Sequence, residues 1–222
     1  MSGLFDRLKA DSKDAWQAYT GHSFVQQMGN GTLPEAAFRH YLVQDYLFLI
    51  QFARAYALAI YKSRSLTEMR SGLESVKAIL DVEMDLHIKL CGRWGLEPAD
   101  IETAPEASET MAYTRFVLEA GLAGDLLDLQ SALAPCVIGY AEIGAALKPN
   151  SSKDNPYAEW IDEYSGPDYA DVANAAKASL DALAEELLTE KRYPRLLKNF
   201  RSATLLEADF WQMGLNAAGA DA

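Results

Sequence analysis

From Pro34 to about Lys62 the chain repeats its apolar residues every three or four positions. Phe38, Tyr41, Leu42, Phe48, Leu49, Phe52 and Tyr56 fall along one side, with Asp45 set among them. That period belongs to a helix and not to a strand, whose sides alternate every second residue. The same period runs through almost every other segment. Leu4, Phe5, Leu8, Ala15, Trp16 and Tyr19 share a face, and His22-Ser23-Phe24-Val25 opens a short helix after Gly21. A further helix is expected from about Thr67 to Trp94, closed by Gly95. Alternating β periodicity is missing throughout, so the chain reads as all-α.

Local signals punctuate this pattern. Gly29-Asn30-Gly31 breaks the chain, and Thr32-Leu33-Pro34-Glu35 restarts a helix. Glu97 to Pro105 reads as a loop because it holds Pro98 and Pro105. Ser108 is expected to cap a helix carrying Met111, Tyr113 and Val117, with a break at Gly121–Asp125. Asp125 then caps the helix that contains Cys136. Pro149 to Pro156 reads as loop, followed by a short helix to Tyr164. The alanine-rich stretch from Asp168 to Lys191 should bury Val172, Ala176, Leu180, Leu183 and Leu187. Tyr193-Pro194 starts the last helix, which holds Leu197, Phe200, Leu205, Phe210, Trp211 and Met213, and residues 216–222 are expected to fray. Short connections imply neighbouring helices that mostly run antiparallel. Residues 1–222 are therefore expected to form a single-domain multi-helix bundle.

With 222 residues, 50% of them hydrophobic, a large core is possible. A net charge of −12 argues against nucleic acid or an anionic membrane as the main partner. No apolar run suggests a membrane span. No basic-then-apolar export signal is seen at the N-terminus. Cys91 and Cys136 match no zinc spacing, and so few cysteines suggest a reducing, cytoplasmic setting.

Three polar features stand on stripes that otherwise look buried. Cys136 follows Pro135, which cannot donate to the carbonyl at Ser131 and clashes with it. The helix should bend or restart there. If it restarts, Cys136 sits in a positive first turn that favours the nucleophilic thiolate. Buried free cysteines more often simply pack. Asp45 lies beside Phe48 and Phe52, where a carboxylate needs donors; the plain alternatives are a pair with an arginine such as Arg54 or exposure at the edge of the stripe. Glu207 has Leu206, Phe210 and Met213 near its side, a setting in which burial would raise its pKa toward that of a general acid. Tyr113, Tyr140 and Tyr164 sit on separate helices, and Tyr140 faces the same way as Cys136. The segment Asp81–His87 invites a metal reading. However, Met84 stands where a Glu-x-x-His pair needs glutamate, and the chain holds only His22, His40 and His87. A Glu83–His87 contact across one turn is the expectation, with no metal and an inert Cys91.

Taken together, several separated motifs resemble the TenA family of thiaminase II enzymes. They are His22-Ser23-Phe24-Val25 with Gly31-Thr32-Leu33-Pro34, Phe38 to Asp45, Glu83 to His87, and Pro135-Cys136 with Tyr140 and Glu142. Trp160-Ile161 with Tyr164 and Gly166 follows, then Glu207 with Phe210-Trp211. The resemblance covers about Trp16 to Trp211 and implies a heme-oxygenase-like fold. It also implies a cofactor-independent hydrolase that converts aminomethyl-pyrimidine breakdown products of thiamin, and often thiamin itself, to hydroxymethyl-pyrimidine. Cys136 would be the nucleophile, Asp45 the holder of the ring's amidine-like edge, and Glu207 the proton donor to the departing amine. Tyr113 would hydrogen-bond the ring, and Tyr140 and Tyr164 would line the pocket. Phe48 stands where many members carry a tyrosine able to hydrogen-bond the cysteine, and Leu206 stands where an aromatic is frequent. A homo-oligomer, commonly a tetramer, is implied. Two other classes remain open here: a non-catalytic binder of a pyrimidine or another small ring, and a heme-oxygenase-like metal oxidase.

Overall fold

A computed structural model describes residues 3–220. In chain order the helices are α1 (Leu4–Asp11), α2 (Lys13–Thr20), α3 (Ser23–Asn30), α4 (Glu35–Lys62), α5 (Leu66–Lys77), α6 (Met84–Arg93) and α7 (Pro98–Glu102). They continue as α8 (Ser108–Ala123), α9 (Leu126–Leu147), α10 (Ala158–Ser165), α11 (Pro167–Leu187) and α12 (Tyr193–Ala220). There is no strand among the described residues. A π-helical segment, Ala78–Glu83, joins α5 to α6, and a 3-10 turn, Lys148–Asn150, follows α9. The chain forms two compact units, neither of them a continuous stretch. One contains the residues up to Leu33 with Gln130–Gln212, the other Pro34–Leu129 with the residues from Met213 onward.

In the first unit the expected apolar face of the N-terminal region is buried: Leu4, Phe5 and Leu8, then Ala15, Trp16 and Tyr19. The rings dock on α12. Trp16 stacks on Phe200 at 5.7 Å, and Phe24 stacks on Trp211 at 5.0 Å. The region is two helices rather than one, because Ser12 (φ −117°, ψ 25°) leaves the helix with its side chain fully buried. No glycine or proline marks that bend. Helix α3 is capped by the His22 ring, whose Nδ1 accepts from the Phe24 N–H at 3.2 Å. It runs through Gly29 and Asn30 and stops at Gly31, whose φ of 73° suits glycine. On α11 the buried positions are Ala173, Leu180 and Leu183, and Val172 is exposed, so the stripe lies one residue from the expected start. Helix α12 stays helical to Ala220; the last two residues of the expected frayed tail lie outside the described residues.

In the second unit α5, α6, α7 and α8 pack against α4. Leu96 N–H reaches the Cys91 carbonyl at 3.0 Å around Gly95 (φ 69°), the closure expected for that helix. The expected loop at Glu97–Pro105 instead contains α7. Pro98 serves as a helix start, where its missing N–H costs nothing. The Tyr46 hydroxyl ties α7 to α4 by donating to Glu102 Oε1 at 3.2 Å. Helix α8 is capped from α4: Gln44 Oε1 accepts from the Ala107 N–H at 2.9 Å and from Thr110 Oγ1 at 2.7 Å. Ser108 turns its hydroxyl to Glu109 instead of capping. Gly121 lies inside α8, where a Cβ would stand 2.8 Å from a Leu58 methyl, and the break comes at Gly124. Asp125 caps α9 as expected. Its Oδ1 accepts from the Leu127 and Asp128 N–H groups at 3.1 and 3.3 Å, and Asp128 Oδ2 accepts from the Asp125 N–H at 3.1 Å.

One stretch departs from the reading that no run suggests a membrane span. Leu126–Asn150 is long and apolar enough by length and composition alone. Of its apolar window 83% is buried, which is the pattern of a core helix.

Candidate active site

Cys136 lies on α9, ten residues after Leu126, the first residue of a 22-residue helix. The helix passes through Pro135 without restarting, so Cys136 has no positive helix end beside it. The expected helix-dipole activation is overturned. Ala132, Leu133, Val137 and Ile138 are all buried around Pro135, and that packing carries the helix through a residue that would otherwise break it.

Cys136 is 8% exposed, and one turn on, Tyr140 enters an aromatic cluster. Its ring centroid lies 4.9 Å from Tyr164, 5.6 Å from Trp160 and 5.4 Å from Trp211. Tyr164 comes this close because Gly144 has no side chain: a Cβ there would stand 2.4 Å from the Tyr164 carbonyl carbon. At Gly139 a Cβ would stand 2.3 Å from the Tyr19 ring. The other face of α9 is fixed by Glu142, which accepts from Lys9 Nζ at 2.7 Å and from Trp16 Nε1 at 3.0 Å. Glu207 on α12 is 1% exposed and one turn before Trp211. The Tyr140–Trp211 contact therefore joins the helix face that carries Cys136 to the face that carries Glu207. Within this unit Tyr140 and Tyr164 belong to one set of rings, and Cys136 and Glu207 each stand one helical turn from a member of it. Trp160 and Trp211 complete that set; the sequence offered them only as motif residues.

In the second unit Asp45 is buried on α4. Its Oδ2 accepts from the Tyr41 hydroxyl at 3.2 Å and lies 3.4 Å from His87 Nδ1. Burial pushes its carboxyl up to about 7, against a smaller opposing effect of the Tyr41 hydrogen bond. Phe48 stacks on Phe52 and on Tyr113, each at 5.2 Å. Tyr113 is held there by α8, whose start Gln44 fixes from the residue next to Asp45. Asp45, Phe48 and Tyr113 thus belong to one region of this unit.

Two expectations fail at this point. Arg54 is not the partner of Asp45; it donates to Gln51 Oε1 at 2.9 Å. His87 does not turn to Glu83. Its Nε2 meets the Leu42 carbonyl at 2.7 Å and its other nitrogen faces Asp45. The cause lies in packing: α6 buries His87 and Cys91 against α4, and Glu83 ends the π-helical segment that precedes it. The Cys91 thiol is pushed up to about 12, first by burial and then by Asp45, which makes it a poor nucleophile. Among the described residues no three His, Cys, Asp or Glu side chains are grouped to hold a metal ion.

The TENA/THI-4/PQQC family profile matches residues 9–217. The chain belongs to this family. An aminopyrimidine aminohydrolase of Halalkalibacterium halodurans is 37% identical over 203 residues, covering 90% of each chain. Among solved structures, a TenA family transcription regulator from Silicibacter sp. TM1040 is 47% identical and superposes with a TM-score of 0.91 over 96% of each chain. A domain from Shewanella denitrificans with a heme oxygenase-like fold matches at a TM-score of 0.73 and 13% identity, over 96% of this chain and 92% of that one. The TenA-type bundle expected from the motifs is therefore the fold of this chain.

Proposed function

We propose that this protein is a cofactor-independent aminopyrimidine aminohydrolase of the thiaminase II type. It would hydrolyse aminomethyl-pyrimidine breakdown products of thiamin, and thiamin itself, to hydroxymethyl-pyrimidine. The observation that carries the reading is the 37% identity, over nine-tenths of both chains, to a relative that bears this activity in its name. The chemistry of the individual residues supports it.

The roles follow from residue type and setting. Cys136 is the nucleophile: its thiolate adds to a ring carbon and forms a carbon–sulfur bond. The ring then becomes electron-rich and expels the amine from the adjacent methylene, while Glu207 gives that amine its proton. Water adds at the methylene, the carbon–sulfur bond breaks, and the ring regains aromaticity. The net change is water in and ammonia out, or, from thiamin, water in and the neutral thiazole with one proton out. Asp45 holds the ring nitrogen and its neighbouring amino group, a two-point contact suited to a carboxyl group. Tyr113 hydrogen-bonds the ring, and Tyr140, Tyr164 and Phe48 line the pocket. Phe48 has no hydroxyl to offer the sulfur, and Cys136 is not at a helix end, so thiolate stabilisation falls to the tyrosines of the cluster.

Two free cysteines, Cys91 and Cys136, support a reducing, cytoplasmic location. The assembly is a homotetramer in this reading. Helix α5, which buries none of its residues and exposes Leu66, Met69 and Leu73, is consistent with a covered face. The test is direct. Purified protein is incubated separately with aminomethyl-aminopyrimidine and with thiamin, and hydroxymethyl-pyrimidine is quantified by chromatography. Product from the first is expected; product from neither, with helical structure intact by circular dichroism, removes the proposal.

A further inference from the structure

A buried amide next to Asp45 has no role in the proposed reaction. Gln44 makes three side-chain bonds, all to the segment that opens α8. Its Nε2 donates to the Pro105 carbonyl at 3.0 Å, and its Oε1 accepts from the Ala107 N–H at 2.9 Å and from the Thr110 hydroxyl at 2.7 Å. Glutamine suits this place: an ionised carboxylate of the same length has no N–H for Pro105, and asparagine is one methylene shorter. The first N–H groups of a helix need acceptors from outside its own ladder, and the N-cap side chain usually supplies one. At α8 the N-cap is Ala107, whose side chain has no acceptor, and the Ser108 hydroxyl turns to Glu109. The cap is therefore supplied by another helix.

Helices α4 and α8 run in the same direction, because their contacts rise together along both. Gln44 meets Ala107 and Thr110, Phe48 stacks on Tyr113, and a Leu58 methyl packs over Gly121. At the far end Lys62 Nζ donates to the Leu122 and Gly124 carbonyls at 3.3 and 2.6 Å. The middle of this seam is ring and methyl contact, which is non-directional and tolerates small offsets. Directional bonds stand at its ends. The Gln44 bonds lie one turn from the site: Phe48 is four residues beyond Gln44 on α4, and Tyr113 is three beyond Thr110 on α8.

We infer that Gln44 is a positioning residue for this reaction: by fixing the register of α8 on α4, it places Tyr113 relative to Asp45 so that both meet the same pyrimidine ring. The inference rests on the proposed roles of Asp45 and Tyr113. A cap built from α8 itself would satisfy the same N–H and leave the helix free to slide along α4. A slip of one residue moves a side chain by about 1.5 Å along the axis and turns it by about 100°. A misplacement of about 1 Å can cost on the order of a hundredfold in rate. The cap supplied by α4 removes that freedom, because the atom that stabilises the start of α8 belongs to the residue beside Asp45.

The test separates register from helix stability. Gln44→Met keeps the length of the side chain and removes all three bonds. Adding Ala107→Ser then gives α8 a cap of its own. Melting temperature, kcat and KM for aminomethyl-aminopyrimidine are measured for wild type, Gln44→Met and the double variant. Gln44→Met should melt lower and lose about tenfold or more in kcat/KM, mainly through KM, because Tyr113 touches the bound ring and not the reacting atoms. The double variant should recover most of the melting temperature and keep the raised KM. Recovery of KM together with melting temperature would make Gln44 a cap and nothing more, and overturn the inference; a wild-type KM in Gln44→Met would do the same. Should Gln44→Met not fold, Thr110→Val, which leaves Gln44 and its Ala107 bond in place, carries the test: a raised KM is expected, and a wild-type KM overturns the inference. Carbon-13 NMR of labelled tyrosine rings, with Tyr113 assigned through Tyr113→Phe, reads ring position without turnover. The Tyr113 signal should move in the double variant and in Thr110→Val, and an unmoved signal in both overturns the inference. A wild type that turns over no pyrimidine, with a Tyr113 signal that does move, removes the proposed function and leaves the coupling of Gln44 to Tyr113 standing.

Discussion

At the scale of single residues, environment sets what a side chain can do. Both cysteines are buried and free, yet Cys91 is pushed up to about 12 by burial and by Asp45, and its helix offers it only packing. Asp45 gives a prediction about stability. Its native carboxyl titrates near 7, above the ordinary value of 3.8, so the stability tied to its neutral form is complete below about 3.8 and is lost as pH rises through 7. Asp45→Asn cannot ionise. Thermal melts of both proteins from acid to mildly alkaline pH should show the variant gaining on wild type as pH rises from about 4 to 7, then a constant difference. A difference independent of pH would mean that Asp45 is not titrating in that window. The contact of Asp45 with His87 was not legible in the sequence. Asp45 stood out as a carboxylate among aromatics, but its partner lies 42 residues away on another helix. Helical spacing speaks only to neighbours one turn apart, which is why it offered Glu83 to His87.

At the scale of elements, some local signals hold and others give way to packing: Ser108 leaves the cap of α8 to Gln44, and Pro98 starts α7 where a loop is expected. The Asp125 cap and the Gly31 and Gly95 stops depend on a few adjacent residues, and each stands where the sequence put it. The bend at Ser12, the passage of α8 through Gly121 and the continuity of α9 through Pro135 are decided by what packs around them. Pro135 yields a second prediction. Because Cys136 lies mid-helix, Pro135→Ala removes no helix end, and kcat/KM should change by less than about tenfold, or ~1.4 kcal/mol. A loss of several orders of magnitude would restore the helix-end account of thiolate formation. A third prediction concerns Gly144. A Cβ there meets Tyr164 and Ser165 backbone atoms at 2.4–2.7 Å, and backbone cannot step aside as a flexible side chain can. Gly144→Ala should destabilise the fold by about 1–3 kcal/mol by overpacking and should raise KM as α10 and Tyr164 are displaced. Wild-type values in chemical denaturation and in KM would contradict this contact.

At the scale of the whole molecule, the family match spans both units, and the candidate residues fall in each: Cys136, Tyr140, Tyr164 and Glu207 in one, Asp45, Phe48 and Tyr113 in the other. A net charge of −12 fits a small-molecule enzyme better than a nucleic-acid binder, even though one similar structure is described as a transcription regulator. Sedimentation should give a particle of four 24.4 kDa chains, and a monomer at micromolar concentration would contradict the assembly. The proposed chemistry depends on Cys136. The most direct measurement is the rate of hydroxymethyl-pyrimidine release from aminomethyl-aminopyrimidine by wild type and by Cys136→Ser, alongside ligand binding by calorimetry. Wild type should turn over, and the serine variant should bind the ring with near-native affinity yet release no product, since serine without an adjacent base is a poor nucleophile. Equal turnover by the two proteins would contradict the account.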